Sequence, residues 1–271
     1  MKKKKNERFK NITIEERKVL EDLEKIVGDP IPEKKFLGLR PYEYVTKNGH
    51  VIELGVSNKE LTKLPDSIGN LKWLSLLNLG DNKLASLPDS IGNLPKLKEL
   101  SLVHNKLTSL PDSFGNLVNL EVLELYSDEL KALPESFGNL INLIELSLIN
   151  TNLKTLPDSF GNLAMLEELD LWGNFLDSLP ESFGKLKNLK MLSLRSHHLP
   201  KIPKSFGELS NLKELMLGEY QIEGFPRKIA DQLKAHGCQI LYEARDWVGG
   251  PGGDYETVTY DYFTKKEING D

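Results

Sequence analysis

The sequence has little cysteine, little excess charge and no long apolar run. Its 271 residues contain one cysteine, Cys238, which cannot form an internal disulfide, so a reducing, cytoplasmic setting is favoured. The formal net charge of -5 argues against a nucleic-acid partner, because phosphate binding needs a concentrated positive surface. No stretch approaches the roughly 20 apolar residues of a membrane-spanning helix, so we expect no membrane span.

The amino terminus also lacks the pattern of a secretory signal. The segment MKKKKNERFK is basic, but NITIEERKVLEDLEK follows it where a signal peptide would have an apolar run. We interpret the lysines at positions 2–5 as a solvated end of the chain rather than a membrane-binding tract.

Patterns that would indicate catalysis or metal binding are missing. The histidines have no metal-ligand spacing, and Cys238 is expected to be a small buried apolar side chain rather than a reactive thiol. The acidic residues that follow each repeated proline, such as Asp112 and Glu135, are far apart in the chain and suit turn capping, not an acid/base pair. The segment GGPGGD has no Gly-Lys-Ser/Thr ending, so it is not a phosphate loop. We therefore predict a protein that is not an enzyme and has no cofactor and no metal.

What the sequence does contain is an internal repeat. A shift that carries Leu74 onto Leu97, and Leu97 onto Leu120, superimposes the pattern LxxLxLxxNxLxxLPxSFGNLxx along the chain. The eight units begin at Val51, Leu74, Leu97, Leu120, Leu143, Leu166, Leu189 and Leu212. A fixed period of this length predicts stacked units, each too small to bury its own apolar face and each dependent on its neighbours.

The spacing within a unit predicts how it is built. In the third unit the inward positions are Leu97, Leu100, Leu102, Leu107 and Leu110. The first three fit a short strand, and Pro111 then prevents the strand from continuing. We expect Asp112 and Ser113 to cap a short helical or 3₁₀ turn, in which Phe114 points inward and Gly115 allows a tight bend.

Two positions of the repeat predict continuous rows inside the stack. One is an aromatic spine near the convex side, formed by Phe114, Phe137, Phe160, Phe183 and Phe206. The other is the ninth position, where Asn82, Asn105 and Asn174 can bond through inward amides to the backbone of adjacent turns. We expect water or a local rearrangement where other residues interrupt this row, at Lys59, Asp128, Thr151, His197 and Tyr220.

These residues resemble the leucine-rich-repeat family, in particular the subgroup with an LPxSIGNL or LPxSFGNL segment that is seen in plant Ras-group-related, leptospiral and archaeal proteins. The resemblance extends over residues 51–234. It implies a curved α/β solenoid with a parallel sheet on its concave face, and protein binding as the usual activity. Extracellular members commonly close their ends with paired cysteines, so the single cysteine is a second reason to expect a cytoplasmic protein.

Both ends of the stack should carry caps, because an open end would expose apolar surface and a sheet edge. At the N-terminal end, Thr13 and Glu16 predict a capping box for a helix that ends at Gly28. The Asn48-Gly49 pair predicts a type I′ hairpin turn directly before the first repeat strand.

At the C-terminal end, the sequence from Pro226 to Gly237 predicts a helix, and residues 239–243 predict one closing strand. Residues 246–254 indicate a flexible connector, and the tyrosine-rich residues after them are typical of a strand. We therefore divide the chain into an N-terminal cap at 1–50, the solenoid at 51–234, a C-terminal cap at 235–245 and a linker with a tail at 246–271.

The concave side carries the most specific functional signal. Side chains at the seventh position of each unit should form a row there, because equivalent residues of stacked strands lie about 4.8 Å apart. This seventh-position row comprises Val103, Tyr126, Ile149, Trp172 and Arg195. The fold does not require apolar residues in it, since Ser57, Gly80 and Gly218 occupy the same position in other units. Its predicted rim is formed by His104, Glu124, Glu168, Asp170, Phe175 and His198.

An exposed row of this composition is typical of protein-binding hot spots. The sequence therefore predicts an interaction module that binds a protein or peptide on the concave face. One alternative is a substrate-recruiting or regulatory subunit of an enzyme complex, for example a ubiquitin ligase. Another is that the chain's own tail occupies the row. The pattern indicates neither the identity of the partner nor the oligomeric state.

Overall fold

The structure is a computed structural model, and it describes residues 9, 11–34, 41–127, 129–196, 198, 200–248 and 254–266. At 244–248, 254–256 and 258 the description covers the backbone. These described residues form two α-helices, α1 (Ile14–Val27) and α2 (Arg227–Ala235), and a single sheet of twelve strands in chain order.

The strands of the sheet are β1 (Glu33–Lys34), β2 (Tyr42–Lys47), β3 (His50–Val56), β4 (Leu76–Asn78), β5 (Glu99–Ser101), β6 (Val122–Glu124), β7 (Glu145–Ser147), β8 (Glu168–Asp170), β9 (Met191–Ser193), β10 (Glu214–Gly218), β11 (Gln239–Val248) and β12 (Asp254–Asp261). Short 3₁₀ helices cover Asp66–Asn70, Asp89–Asn93, Asp112–Asn116, Glu135–Asn139, Asp158–Asn162, Glu181–Lys185, Lys204–Glu208 and Glu219–Gln221.

Strands β3 to β11 are parallel, and up to β10 their register follows the repeat. Leu77 of β4 lies beside Leu100 of β5, and Leu100 lies beside Leu123 of β6. Each partner is thus one repeat period further along the chain, as the self-alignment of the sequence predicts. The curved solenoid with a parallel sheet on its concave face is confirmed.

The turn on the convex side begins differently from the prediction. Pro111 occupies the N-cap position of the 3₁₀ helix Asp112–Asn116, and no side chain caps it. The expected capping by Asp112 and Ser113 is therefore wrong. Pro111 already holds the extended conformation that precedes the turn, with φ -69° and ψ 153°, so Asp112 falls inside the first turn. There its charge complements the helix dipole.

The glycine of this turn is required by a close approach between units. A Cβ atom built on Gly138 would lie 2.4 Å from the backbone oxygen of Ser159 in the next unit. The sequence led us to expect a tight bend at this position. The structure shows that the neighbouring turn packs against the glycine backbone instead, which lets the convex sides of adjacent units come together.

The aromatic spine is confirmed. Phe137 and Phe160 stack with ring centroids 6.2 Å apart and an interplanar angle of 2°, and Phe160 and Phe183 repeat this arrangement at 6.1 Å. All three rings are fully buried. The spine ends where Phe225 meets Phe206 edge-on at 6.3 Å, and Tyr262 of the tail then packs against Phe225.

The row of inward amides is also confirmed. Asn82 Nδ2 donates to the backbone oxygens of Val56 and Leu79 at 2.6 and 2.9 Å, and its Oδ1 accepts from the N–H groups of Lys59 and Leu61 at 3.0 Å. One side chain thus satisfies four backbone groups of two adjacent turns.

At two of the interruptions of this row, Thr151 and Tyr220, a protein side chain takes part in the hydrogen bonding. In the last unit, Gln221 replaces the amide that Tyr220 lacks, and its Nε2 donates to the backbone oxygens of Leu194 and His198 at 2.9 Å. Thr151 Oγ1 donates to Asn174 Oδ1 at 2.7 Å. The expected local rearrangement is therefore present at these two turns. Asp128 and His197 lie outside the described residues.

The N-terminal cap follows the predicted pattern. The Thr13 and Glu16 capping box is present, and Gly28 ends α1 with φ 85°. Asn48 and Gly49 both have positive φ, 52° and 80°, as a type I′ turn requires. The short strand β1, which pairs in parallel with β2, is an addition that the sequence did not predict.

The C-terminal cap is larger than predicted. β11 continues past residue 243 to Val248, and β12 pairs with it antiparallel from Asp254 to Asp261. Residues 246–248 are thus part of a strand and not of a flexible connector, while 249–253 lie outside the described residues. The described part of the tail pairs with the free edge of β11 and so extends the end of the sheet. It does not run across the concave face.

Candidate binding surface

The concave face consists of side chains that alternate with the buried leucines of each strand. In β7, Leu146 is buried, while Glu145 and Ser147 on either side of it point outward. The chain then continues beyond the strand, and Ile149 of the seventh-position row faces the same side. Each unit therefore contributes three outward positions to this face, the third, the fifth and the seventh.

Six of the predicted residues line one groove on this face, and its volume is about 310 Å³. Three belong to the seventh-position row and three to the predicted rim: Tyr126, Ile149, Arg195, Glu124, Glu168 and Asp170. Ser147 Oγ donates a hydrogen bond of 3.3 Å to the Tyr126 hydroxyl oxygen, which helps to orient the ring.

Trp172 and Phe175 lie in a second depression beyond the ends of the strands. Asn150 and Asn152 form its other side, and its volume is about 450 Å³. Both aromatic side chains are 47% exposed, which is a large apolar area to leave in water. The backbone N–H of Trp172 donates to Asp170 Oδ1 at 2.9 Å, so a residue of the first groove holds the turn that presents the indole.

Arg195 connects the two depressions. Its guanidinium lies 5.4 Å from the centre of the Trp172 ring, within the range of a cation–π contact, and it forms an ion pair with Glu243 of β11. Gly218 of β10 is the register partner of Glu243 and holds the same repeat position as Arg195, one unit later. Because it has no side chain, it does not block the contact between Arg195 and Glu243. The guanidinium is therefore held in place by the C-terminal cap.

Three predicted residues lie at the margins. Val103 packs close to Gly80 of the previous unit. His104 is exposed, its Nδ1 lies 2.9 Å from Asp81 Oδ1, and its ring meets Tyr126 edge-on at 6.0 Å. His198 borders a separate small depression, so the structure does not bring it together with the seventh-position row.

Residues that the sequence reasoning did not select complete the groove. Among them are Glu145, Glu214, Met191 and Met216. The third position of the repeat reads Glu99, Val122, Glu145, Glu168, Met191 and Glu214, so comparing that column in the sequence would have revealed the acidic side chains. Glu243 could not be found by comparing columns. It pairs with Gly218 on β10, and the separation between these two residues along the chain is two positions longer than the repeat period.

The described part of the chain holds no group of His, Cys, Asp or Glu side chains that could bind a metal ion. Among the same residues, no helix combines the length and the apolar character that crossing a membrane requires.

Cys238 is the one thiol of the chain, and we expect it to be unreactive in the folded protein. Burial raises the pKa of the Cys238 thiol to about 12, so the reactive thiolate is scarcely populated near neutral pH. Mass spectrometry after treatment with iodoacetamide should show slow labelling of the native protein and complete labelling in denaturant. Labelling of the native protein as fast as that of a free cysteine would contradict this expectation.

Comparisons with known proteins agree with this architecture. A family model described as a leucine-rich repeat region matches residues 41–143, 89–178 and 131–235. An internalin from Listeria monocytogenes aligns with a TM-score of 0.57 and 20% identity, over 73% of this chain and 58% of the internalin chain. The plant peptide hormone receptor RGFR1, solved in complex with RGF2, aligns with a TM-score of 0.48 and 31% identity, over 64% of this chain and 34% of the receptor chain.

The chain spans less than two thirds of the length of either protein. A search of curated protein sequences found no match. The likeness to the internalin shows the fold, and the three family matches together cover residues 41–235 without a gap. The chain belongs to the leucine-rich repeat family.

Proposed function

We propose that this protein binds a segment of another protein on its concave face, through the seventh-position row. Leucine-rich repeat proteins are typically interaction modules rather than enzymes, which supports a binding role in general. The specific observation that carries the proposal is the exposure of apolar side chains where the fold does not need them. Trp172 is 47% exposed, and the same position holds Gly80 and Gly218 in other units.

The row has the chemistry of a binding site as well as the exposure. Tyr126 and Trp172 have few rotatable bonds, so they lose little conformational entropy when a partner covers them. Arg195 is already held by Glu243 and lies against the Trp172 ring, so part of the surface is ordered before binding. A partner that packs on Ile149 would thus contact tyrosine on one side and tryptophan on the other.

The double substitution Tyr126→Ala with Trp172→Ala tests the proposal. A randomised peptide library is selected on the wild-type protein, and the affinity of each recovered peptide is measured by fluorescence anisotropy for both proteins. We expect the substitution to weaken binding by at least about tenfold, or about 1.4 kcal/mol, because two hot-spot side chains are lost.

A matched control is available at the other end of the strands. Val118 and Ile141 are 43% and 50% exposed and lie in adjacent units, so Val118→Ala with Ile141→Ala removes exposed apolar area away from the row. This control should leave affinity unchanged. Thermal melts of both variants should stay close to wild type, and recovered peptides that bind the Tyr126/Trp172 variant as tightly as wild type would refute the proposal.

A further inference from the structure

Acidic side chains surround the seventh-position row. Glu124, Asp170 and the third-position residues Glu145, Glu168 and Glu214 line the same groove as Tyr126 and Ile149. Arg195 is the one basic side chain that borders this groove in the described part of the chain, and its guanidinium is paired with Glu243. An apolar strip thus lies inside a surface of uncompensated negative charge.

Acidic side chains one position earlier in the repeat are compensated. At the second position, Lys98 pairs with Glu121 and Lys190 pairs with Glu167, each at 2.6 Å between neighbouring units. At the third position, by contrast, Glu145 and Glu168 form no ion pair with a basic side chain in the described part of the chain. The chain therefore neutralises the carboxylates at the second position of the repeat and leaves the concave groove acidic.

This arrangement costs the free protein some stability. Glu145 and Glu168 are register partners on β7 and β8, so their side chains start about 4.8 Å apart on the same face and their like charges repel. Neither carboxylate contributes to the core or to a cap. Basic side chains placed over the groove would convert this repulsion into attraction.

We infer that the segment bound at this surface is basic: an extended stretch of a partner protein in which lysine or arginine alternates with apolar residues. This inference rests on the proposed function and adds the chemical class of the partner. The apolar residues would pack on Tyr126, Ile149 and Trp172, and the basic residues would face Glu145, Glu168 and Asp170. The groove crosses five strands, about 19 Å, which an extended chain of about six residues spans.

Synthetic peptides of about nine residues provide the test, long enough to cross the groove with a margin. One alternates lysine with leucine and tryptophan, and the other has glutamate in place of every lysine. By fluorescence anisotropy we expect the lysine peptide to bind at least about tenfold more tightly, and its affinity to fall as salt is raised to about 0.3 M. Equal affinity of the two peptides would overturn the inference.

Substitutions on the protein locate the effect. Glu145→Gln with Glu168→Gln should weaken binding of the lysine peptide by about tenfold. Asp158→Asn with Glu181→Gln removes the same charge from exposed convex turns and should have no such effect. Equal weakening by both variants would mean that net charge alone attracts the peptide, and this result would also overturn the inference.

The peptide selection described above separates failure of this inference from failure of the proposed function. Recovered peptides that depend on Tyr126 and Trp172 but carry no basic residues would refute the inference and leave the proposed function standing. Self-association of the wild-type chain in light scattering, lost in the Glu145/Glu168 variant, would identify a second copy as the occupant and refute the inference of a different partner.

Discussion

Replacing Phe160 by alanine should lower the free energy of unfolding by about 3–5 kcal/mol. The ring is fully buried and stacks on Phe137 at one side and Phe183 at the other, so its loss opens a cavity shared by three units. Because each unit of a solenoid is stabilised mainly by its neighbours, weakening both contacts in the middle of the stack should also broaden the unfolding transition. Urea denaturation followed by circular dichroism measures both effects.

Phe175→Ala is the matched control for this experiment. It removes the same atoms from a side chain that is 47% exposed, and it should change the free energy of unfolding by less than about 1 kcal/mol. If Phe160→Ala were as mild as Phe175→Ala, the stacked spine would contribute little to stability, and the packing of the leucines would have to hold the units together.

Asn82→Ala should also destabilise the protein strongly, by about 3 kcal/mol. The amide of Asn82 satisfies the N–H groups of Lys59 and Leu61 and the backbone oxygens of Val56 and Leu79. Alanine cannot replace any of these hydrogen bonds, and the buried backbone groups are left without their partner. The loss should appear as a lower denaturation midpoint and as faster hydrogen exchange of the Lys59 and Leu61 amides.

Asn116→Ala provides the comparison. Asn116 is an exposed residue at the end of a 3₁₀ helix, and removing its amide should change stability by less than about 0.5 kcal/mol. If Asn82→Ala had an equally small effect, water entering the turn would be replacing the lost hydrogen bonds, and the amide row would not be a stabilising feature.

Most of the fold could be predicted because the same residue pattern recurs in every unit, so each structural inference is supported by several units. Leu100 alone is compatible with a strand or a helix. Because leucine recurs at this position in every repeat period, equivalent residues must stack on one another. Register, buried positions and the rows of Phe160 and Asn82 then follow from one self-alignment. The Asn48-Gly49 turn was predictable for a different reason, since few residue pairs accept positive φ at both positions.

The errors occurred where the repeat ends or where one side chain replaces another. Gln221 takes the role of the ninth-position amide from one position later, which a strict column comparison does not show. β12 could be predicted as a strand, but its place beside β11 depends on the free edge that the last unit leaves. The capping prediction for Asp112 failed because Pro111 already sets the backbone of the turn.

The candidate surface was predictable in composition and not in arrangement. The sequence indicated that Tyr126, Ile149, Trp172 and Arg195 form one row, and these residues do follow consecutive strands. The structure divides them between two depressions and joins the depressions through Arg195. The division matters for binding, because a ligand that contacts both Ile149 and Trp172 must occupy both depressions.

The sequence by itself determined the unit of this protein, its period and the inward or outward direction of each side chain within a strand. These properties are local, because alternation along a strand and a constant spacing suffice to define them. Only the tertiary structure decided that Glu243 reaches Arg195 past Gly218, and that Glu145 and Glu168 share a groove with Tyr126. These contacts depend on how the last cap is offset and on how the strands face a common space, and neither property is contained in a single unit.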